Sequence, residues 1–330
     1  MSVRSRLSLP ALALASLLAL PPQGVAQAPA SAPFRLVTLG TIAGPLPRKD
    51  RAQMASLLDI GGELYLIDAG DGVARRLAEA DVDIPKIGRI FITHNHGDHT
   101  AGLPTLFSVA WQYNRRQPIE VIGPPGTDVT VQGALAADRA DEEIRLSETR
   151  DTPLKSVVQV KVVGTGVVYQ DARVKVTAVE NTHFQFEMGS PAAGKYRSYA
   201  YRFDIGPRSI VFTGDTGPSP AVTALARGAD ILVSEALAID EVRGRLEKAG
   251  QWQAMTPEER KGWTMHMSQE HLTPEQAGEM AQQAGVRTLV LSHLSGNGAP
   301  NDDYARFAVA AGKAFKGRIV VARDLMSITP

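Results

Sequence analysis

The segment Thr93-His94-Asn95-His96-Gly97-Asp98-His99-Thr100-Ala101-Gly102 constrains the fold of this chain more than any other stretch. It places three imidazoles and one carboxylate within six residues, ligand types that suit Zn2+, Mn2+ and Fe. Arg89-Ile90-Phe91-Ile92 before it has the character of a short buried strand. After Gly102-Leu103-Pro104, the apolar run from Thr105 to Tyr113 reads as a helix. A tight strand-to-helix turn thus carries four side chains able to converge on one point. The chain has seven histidines, at 94, 96, 99, 183, 266, 271 and 293. Three lie in this motif, and at least three others lie in loops at the ends of apparent strands or helices. Scattered core histidines would not be distributed in that way.

The same pattern of delivery recurs along the chain. The strand Val174 to Val179 leads to His183, the strand Ser209 to Thr213 to Asp215, Ile231 to Ser234 to Glu235, and Thr288 to Leu291 to His293. Further strands are expected at Phe34 to Leu39, Met54 to Ile60, Glu63 to Ile67, Ile119 to Ile122, Val157 to Val163, Val167 to Gln170 and Tyr199 to Ile205, with a last one in 318–328. Helices are expected at Val73 to Ala80, Thr127 to Ala137 and Ala221 to Arg227, and from Pro274 with Thr273 as N-cap to Gly285. Residues 138–155 are charged and show no clear periodicity. Each half of the chain runs from strand hairpins into helix–strand alternation. This organisation predicts an α/β fold over residues 29–330: one domain, an αββα sandwich of two mixed β-sheets with helices on the outer faces.

Residues 1–28 stand outside that domain as a signal peptide. Arg4 and Arg6 form a basic n-region, Leu7 to Leu20 an apolar h-region, and Ala26-Gln27-Ala28 a small-x-small cleavage site. The h-region is short for a bilayer span and carries Pro10. The expected location is periplasmic or secreted, without membrane association after cleavage. The chain has 35 Lys+Arg against 35 Asp+Glu, and cleavage tips the balance slightly acidic. Such a charge lacks the footprint for gripping long nucleic acid. There is no cysteine, so thiolate zinc sites and disulfides are excluded. The sequence leaves a homodimer open.

His94, His96, Asp98, His99, His183, Asp215 and His293 are too many ligands for one catalytic ion, which takes three protein ligands and keeps a position for water. They suit two divalent ions, Zn2+ first and Mn2+ or Fe as alternatives, with one carboxylate shared. Two such ions, about 3.5–4 Å apart, can hold a bridging hydroxide as nucleophile and polarise the scissile group.

His94-Asn95-His96-Gly97-Asp98-His99 resembles the HxHxDH signature of the metallo-β-lactamase superfamily, αββα metal hydrolases. The resemblance covers nearly all of residues 29–330. Leu39-Gly40-Thr41, Asp68-Ala69-Gly70-Asp71-Gly72, Ala229 to Ala236, His271 to Ala277 and Leu291-Ser292-His293 resemble the ribonuclease Z-like branch, with arylsulfatase-like and phosphodiesterase members similar. The resemblance implies that His94, His96 and His183 hold one ion, Asp98, His99 and His293 the second, and that Asp215 bridges them. It also implies that Glu235 and His271 form a proton-handling pair at the leaving group. Asp98, Glu235 and His271 are therefore the candidate catalytic residues. Asp68 is a candidate for orienting a ligand histidine.

The expected activity is hydrolysis of a small anionic phosphodiester or sulfate ester. A lactonase or other cyclic-acyl hydrolase is the alternative, with β-lactamase disfavoured because no cysteine is available. Transfer-RNA 3′ processing is disfavoured by the export signal and the charge. A diiron redox protein is disfavoured by an imidazole at His96, where that branch carries an acid. His266 lies in the segment Gln251 to Gln269, with Trp252, Trp263, Met265 and Met267. That segment is read as an amphipathic insert packing its Trp and Met on the body, with a substrate lid as the alternative. The loop Phe184 to Arg197 is a second candidate rim.

Overall fold

The computed structural model describes residues 34–299 and 301–329. The signal peptide read at 1–28 lies outside these residues. In the first half, strands β1 (Phe34–Gly40), β2 (Ala55–Ile60) and β3 (Glu63–Ile67) run as antiparallel neighbours. Helix α1 (Val73–Glu79) leads to β4 (Arg89–Phe91), then α2 (Gly97–Thr100), α3 (Leu103–Gln112), β5 (Ile119–Gly123), α4 (Thr127–Ala137), α5 (Arg139–Glu148) and β6 (Val158–Val162). The second half opens with β7 (Gly166–Gln170), β8 (Lys175–Glu180), β9 (Tyr199–Ile205) and β10 (Arg208–Phe212). It continues through α6 (Pro220–Leu225), β11 (Ile231–Leu237), α7 (Ile239–Lys248), α8 (Gln251–Ala254), α9 (Pro257–Gln269), α10 (Pro274–Ala284), β12 (Thr288–Ser295), α11 (Ala305–Ala311), β13 (Arg318–Val321) and β14 (Met326–Ile328).

Two seven-stranded mixed sheets result, in the orders β14-β1-β2-β3-β4-β5-β6 and β13-β12-β11-β10-β9-β8-β7. Strands buried on both faces read as continuous apolar runs, and their alternate residues feed different cores. In β11, Ile231 and Val233 point between the sheets while Leu232 points to the helices. In β1, Leu36 faces the inter-sheet core and Val37 and Leu39 the helical layer. The inter-sheet core centres on Phe91, whose ring meets Tyr169, Tyr201 and Phe203 edge-on at 5.8, 5.7 and 5.1 Å. Outside it, α1, α3 and α4 cover the first sheet through Val73, Leu106 and Val131. Helices α6, α10 and α11 cover the second through Val222, Met280 and Phe307. The layers are thus helix, sheet, sheet, helix. Among the described residues no helix is long and apolar enough to cross a membrane.

Two departures from the sequence reading have physical causes. The charged stretch 138–155 contains a helix, α5, none of whose residues is buried. Its side chains meet neighbours through polar groups instead of an apolar stripe: Glu142 accepts from Leu154 N at 2.7 Å, and Arg139–Glu143 and Asp141–Arg145 add pairs four residues apart, each at 2.8 Å. Residues 318–328 are two strands rather than one. β13 pairs in parallel with β12, and β14 pairs antiparallel with β1 in the other sheet. The chain changes sheets at Leu325, whose φ is 62°. Asp324 pins the crossing by accepting from Thr41 Oγ1 and Ala52 N, both at 2.6 Å.

The Phe91 ring joins both sheets directly below the 93–102 turn. Replacing it with alanine is expected to destabilise the fold by about 3–5 kcal/mol, read as a lowered urea midpoint with an unchanged slope.

Candidate metal centre

The turn after β4 is built around Asp68. This carboxylate accepts from Thr93 N at 2.8 Å and from Thr93 Oγ1, and its Oδ2 lies 2.9 Å from His99 Nδ1. It thereby fixes the ring of His99 with Nε2 turned inward, as such partners commonly do. The backbone of Asp68 is left-handed, with φ 59°. Helix α2 begins directly after His96, so Asp98 and His99 lie within its single turn. Asp98 Oδ2 accepts from Gly44 N at 2.8 Å. A Cβ on Gly44 would come within 2.4 Å of the Asp98 side chain, so only glycine allows this approach.

The remaining members arrive from the second sheet. His183 follows β8, and its Nδ1 donates to Glu270 O at 3.1 Å. Asp215 follows β10 after Gly214. His293 sits at a bulge in β12, where Glu235 pairs with Ser292 and Ala236 with Leu294. The bulge puts His293 at φ 46° and turns its ring into the site. Left-handed backbone at non-glycine residues costs of order 1–3 kcal/mol each and clusters at functional positions. The loop at 41–43 ties the two sheets together here, through Leu294 N to Thr41 O at 2.8 Å and Ala43 N to Leu294 O at 3.1 Å.

The structure brings all seven sequence-derived ligands into two adjoining groups. His94 Nε2 and His183 Nε2 each lie 3.1 Å from His96 Nδ1. An edge of about 3.3 Å is expected for nitrogens around one tetrahedral zinc ion. In the second group, His293 Nε2 is 3.2 Å from Asp98 Oδ2, and His99 Nε2 is 3.7 Å from the same oxygen. Asp215 lies between the groups. Its Oδ1 is 3.4 Å from His99 Nε2, and its Oδ2 is 3.3 Å from His293, 3.8 Å from His94 and 3.9 Å from His183. Each group offers donor atoms within 4.8 Å of one another and can hold a metal ion.

Electrostatics and hydrogen bonding agree with that capacity. His99 Nε2 and Asp215 Oδ1 are buried without a hydrogen-bond partner, a costly state for ordinary core atoms. Burial drives the His94 and His183 imidazoles well below their usual range, which keeps them neutral and able to donate a lone pair. At His99 burial acts in the same direction, but Asp215, Asp68 and Asp98 outweigh it and raise the imidazole. His293 is likewise raised, by Asp215 and Asp98 against the effect of burial. The second group is therefore a field that favours positive charge, whether carried by protons or by a divalent cation.

Glu235 and His271 lie beside these groups. Glu235 Oε2 is 2.7 Å from His271 Nδ1 and 3.9 Å from His293 Nδ1, and Oε1 accepts from Thr216 N. Burial and the nearby Asp215 raise the Glu235 carboxyl well above its usual range. Burial lowers His271, with Asp215, Glu270 and Asp98 opposing. His271 lies two residues before Thr273, the N-cap of α10, whose capping box uses Thr273 and Gln276.

His266 was read with a segment that merely packs, and the structure separates the two. Trp252 and Trp263 do pack on one another, 5.3 Å apart and edge-on, and Met267 is buried. His266 instead enters the site. Its Nε2 lies 3.3 Å from His271 Nε2 and its Nδ1 2.7 Å from Glu270 Oε2. The sequence signal was the spacing of His266 and Glu270, four residues apart at a helix end just before His271.

Residues 64–294 match the family model described as the beta-lactamase superfamily domain. A ribonuclease Z of Mycobacterium sp. (strain KMS) is 32% identical over 291 residues, covering 88% of this chain and 94% of its own. The metallo-β-lactamase fold protein YhfI from Bacillus subtilis aligns with TM-score 0.64 and 18% identity over 91% of this chain and 100% of its own. Human tRNase Z, short form, aligns with TM-score 0.60 and 22% identity over 89% of this chain and 98% of its own. The two structures bear on the fold, and the family model and the mycobacterial relative bear on kinship. The chain therefore belongs to the beta-lactamase superfamily, as a hydrolase of that superfamily whose neighbouring histidine–aspartate clusters can hold metal ions.

Proposed function

We propose that the chain is a two-zinc hydrolase of small phosphodiester or sulfate esters, acting outside the cytoplasm. One observation carries the reading: Asp215 stands between two ligand groups, with the Glu235–His271 pair at their edge. Bound divalent ions supply an activated water and neutralise charge on an anionic ester. His94, His96 and His183 would hold one, Asp98, His99 and His293 the other, with Asp215 shared. The protein supplies the rest. Asp68 and Glu270 O lock the rings of His99 and His183, and Gly44 N steadies Asp98. Glu235 holds Nδ1 of His271, so that Nε2 can give its proton to an alkoxide leaving oxygen. Ring-opening of a lactone makes less use of such an acid, which favours an ester with a separate leaving group.

The ribonuclease Z name of the mycobacterial relative supports a second reading, cleavage of precursor tRNA. The signal peptide read at 1–28 and the near-neutral charge weigh against it and for a small substrate. A turnover panel of bis-aryl phosphodiester, aryl sulfate, lactone, cephalosporin and precursor tRNA separates the readings. Highest kcat/KM on the phosphodiester or sulfate is the expected result.

The full-length protein is expected to bind about two zinc ions per chain, measured by elemental analysis after gel filtration. His99 and His293 hold their protons more tightly than free imidazole, so metal must displace them. Affinity is therefore expected to fall as pH drops from about 8 to about 6, by about tenfold per unit for each proton displaced. A pH-independent affinity would contradict the ligand assignment. Asp215→Ala and His94→Ala are expected to abolish turnover. His271→Ala is expected to lower kcat by about 10²–10⁴-fold on alkyl leaving groups and far less on nitrophenolate, and an equal loss on both would remove His271 as the acid.

A further inference from the structure

Of the seven histidines, five belong to the two ligand groups and His271 pairs with Glu235, which leaves His266 without a role. It lies in the last turn of α9, with Glu270 at the C-cap. Its Nδ1 stands 2.7 Å from Glu270 Oε2 and its Nε2 3.3 Å from His271 Nε2. His271 Nδ1 in turn stands 2.7 Å from Glu235 Oε2. Glu235, His271, His266 and Glu270 therefore form a line joined by three contacts of hydrogen-bond length. Exposure rises along it, from 0% at the Glu235 side chain through 8% at His271 to 41% at His266. His183 lies nearby, 5.8 Å from His266 between ring centres. It turns Nδ1 to Glu270 O and Nε2 to His96, and so takes no part in the line.

The end of α9 is fastened, so the meeting of the two rings is not an accident of a loose segment. Gln269 O accepts from Gln185 Nε2 at 3.0 Å, and Glu270 O from His183 Nδ1 at 3.1 Å. Counting protons along the line is then informative. A carboxylate oxygen and a bare imidazole nitrogen both only accept, so each contact needs one hydrogen between its atoms. Two facing lone pairs at the Nε2–Nε2 contact would be an unmade hydrogen bond. Three contacts take three protons, and two neutral imidazoles bring one each. The filled line thus holds one extra proton, compensated by two carboxylates. When His271 gives a proton to a leaving oxygen, the line is one short. His271 is too buried to refill readily from water, and His266 is the member that water reaches.

We propose that His266 is a relay residue that restores the proton of His271, with Glu270 as its positioning partner. The proposal rests on the reading of His271 as the acid toward the leaving oxygen. First the His271 Nε2–H bond breaks and an O–H bond forms on the leaving alkoxide. A solvent acid, hydronium or a buffer cation, then protonates the bare Nε2 of His266, and the carboxylate of Glu270 compensates the imidazolium. Finally that N–H bond breaks and the Nε2–H bond of His271 re-forms, which returns both rings to their starting state. Glu270 keeps the Nδ1 proton of His266 throughout, so Nε2 is the nitrogen that exchanges.

The test is chemical rescue of the zinc-loaded full chain on two phosphodiesters, one with an alkyl and one with a nitrophenolate leaving group. His266→Ala is expected to lower kcat on the alkyl ester about tenfold, less than the about 10²–10⁴-fold of losing the acid itself, and far less on the nitrophenyl ester. Added imidazole is expected to restore the alkyl rate of His266→Ala with saturation and to leave wild type unchanged, a response that a merely structural residue does not give. Glu270→Gln is expected to act in the same direction and more weakly. In nitrogen-15 spectra of histidine-labelled protein, a scalar coupling between Nε2 of His266 and Nε2 of His271 is expected across the shared proton. No rescue, equal losses on both esters, or no coupling overturns the relay. If His271→Ala loses equally on both esters, the acid reading falls and takes the relay with it. Unequal losses for His271→Ala with unaltered rates for His266→Ala remove the relay alone.

Discussion

A carboxylate shared between two imidazole groups is the constraint to which the rest of the molecule answers. Asp215 belongs to the second sheet, while His94 and His99 follow a strand of the first. Its oxygens can stand 3.3–3.9 Å from nitrogens of both groups only if the two sheets keep their relative position to within a fraction of that distance. Several bonds serve that purpose at this end of the sandwich. Tyr199 N donates to Thr93 O at 2.9 Å and Tyr201 Oη to Ile92 O at 2.8 Å, both across the sheet interface. Gly214, with φ 59°, turns the chain immediately before Asp215, where a Cβ would come 2.9 Å from Thr93 Cβ. The Phe91 cluster below supplies the rigid floor. Burial in the core thus offsets the left-handed backbone of Asp68 and His293, which alone would not persist.

The parts that were legible in the sequence share a physical trait. His94, His96, Asp98, His99, His183, Asp215 and His293 each follow or end a short apolar strand, and strand runs are recognisable from residue type alone. The ends of β9 and α4 agree with the sequence reading for the same reason, as does the cap at Thr273. What escaped depends on tertiary partners. The change of sheet at Leu325 has no glycine or proline to mark it and is set by Asp324 reaching Thr41 and Ala52. Helix α5 buries nothing, so no apolar period announces it. His266 lies on a helix whose apolar residues follow no strong stripe, and only the fold shows that its outer turn meets His271. Gly44 N contributes a backbone donor, which side-chain patterns cannot reveal.

Three acidic residues near one point do different work because their neighbours differ. Asp215 faces His293 and His99, and their positive charge outweighs burial and holds its carboxyl well below the usual range. Asp98 is likewise lowered, by His99 and His293. Glu235 faces Asp215 across the same pocket and has fewer cationic neighbours, so burial and like charge raise it. Pairs of titratable groups whose environments push them apart commonly divide acid and base roles between them. Here the lowered carboxylates are suited to holding cations and the raised one to holding a proton on or beside His271. The division follows from position: Asp215 lies between the two groups, while Glu235 lies beside them, against Thr216 N and His271. A divalent charge placed between Asp98 and Asp215 would replace the protons that His99 and His293 otherwise carry. The 2.7 Å contact between Glu235 Oε2 and His271 Nδ1 uses neither of those histidines, so the raised carboxyl has a partner of its own beside the two groups.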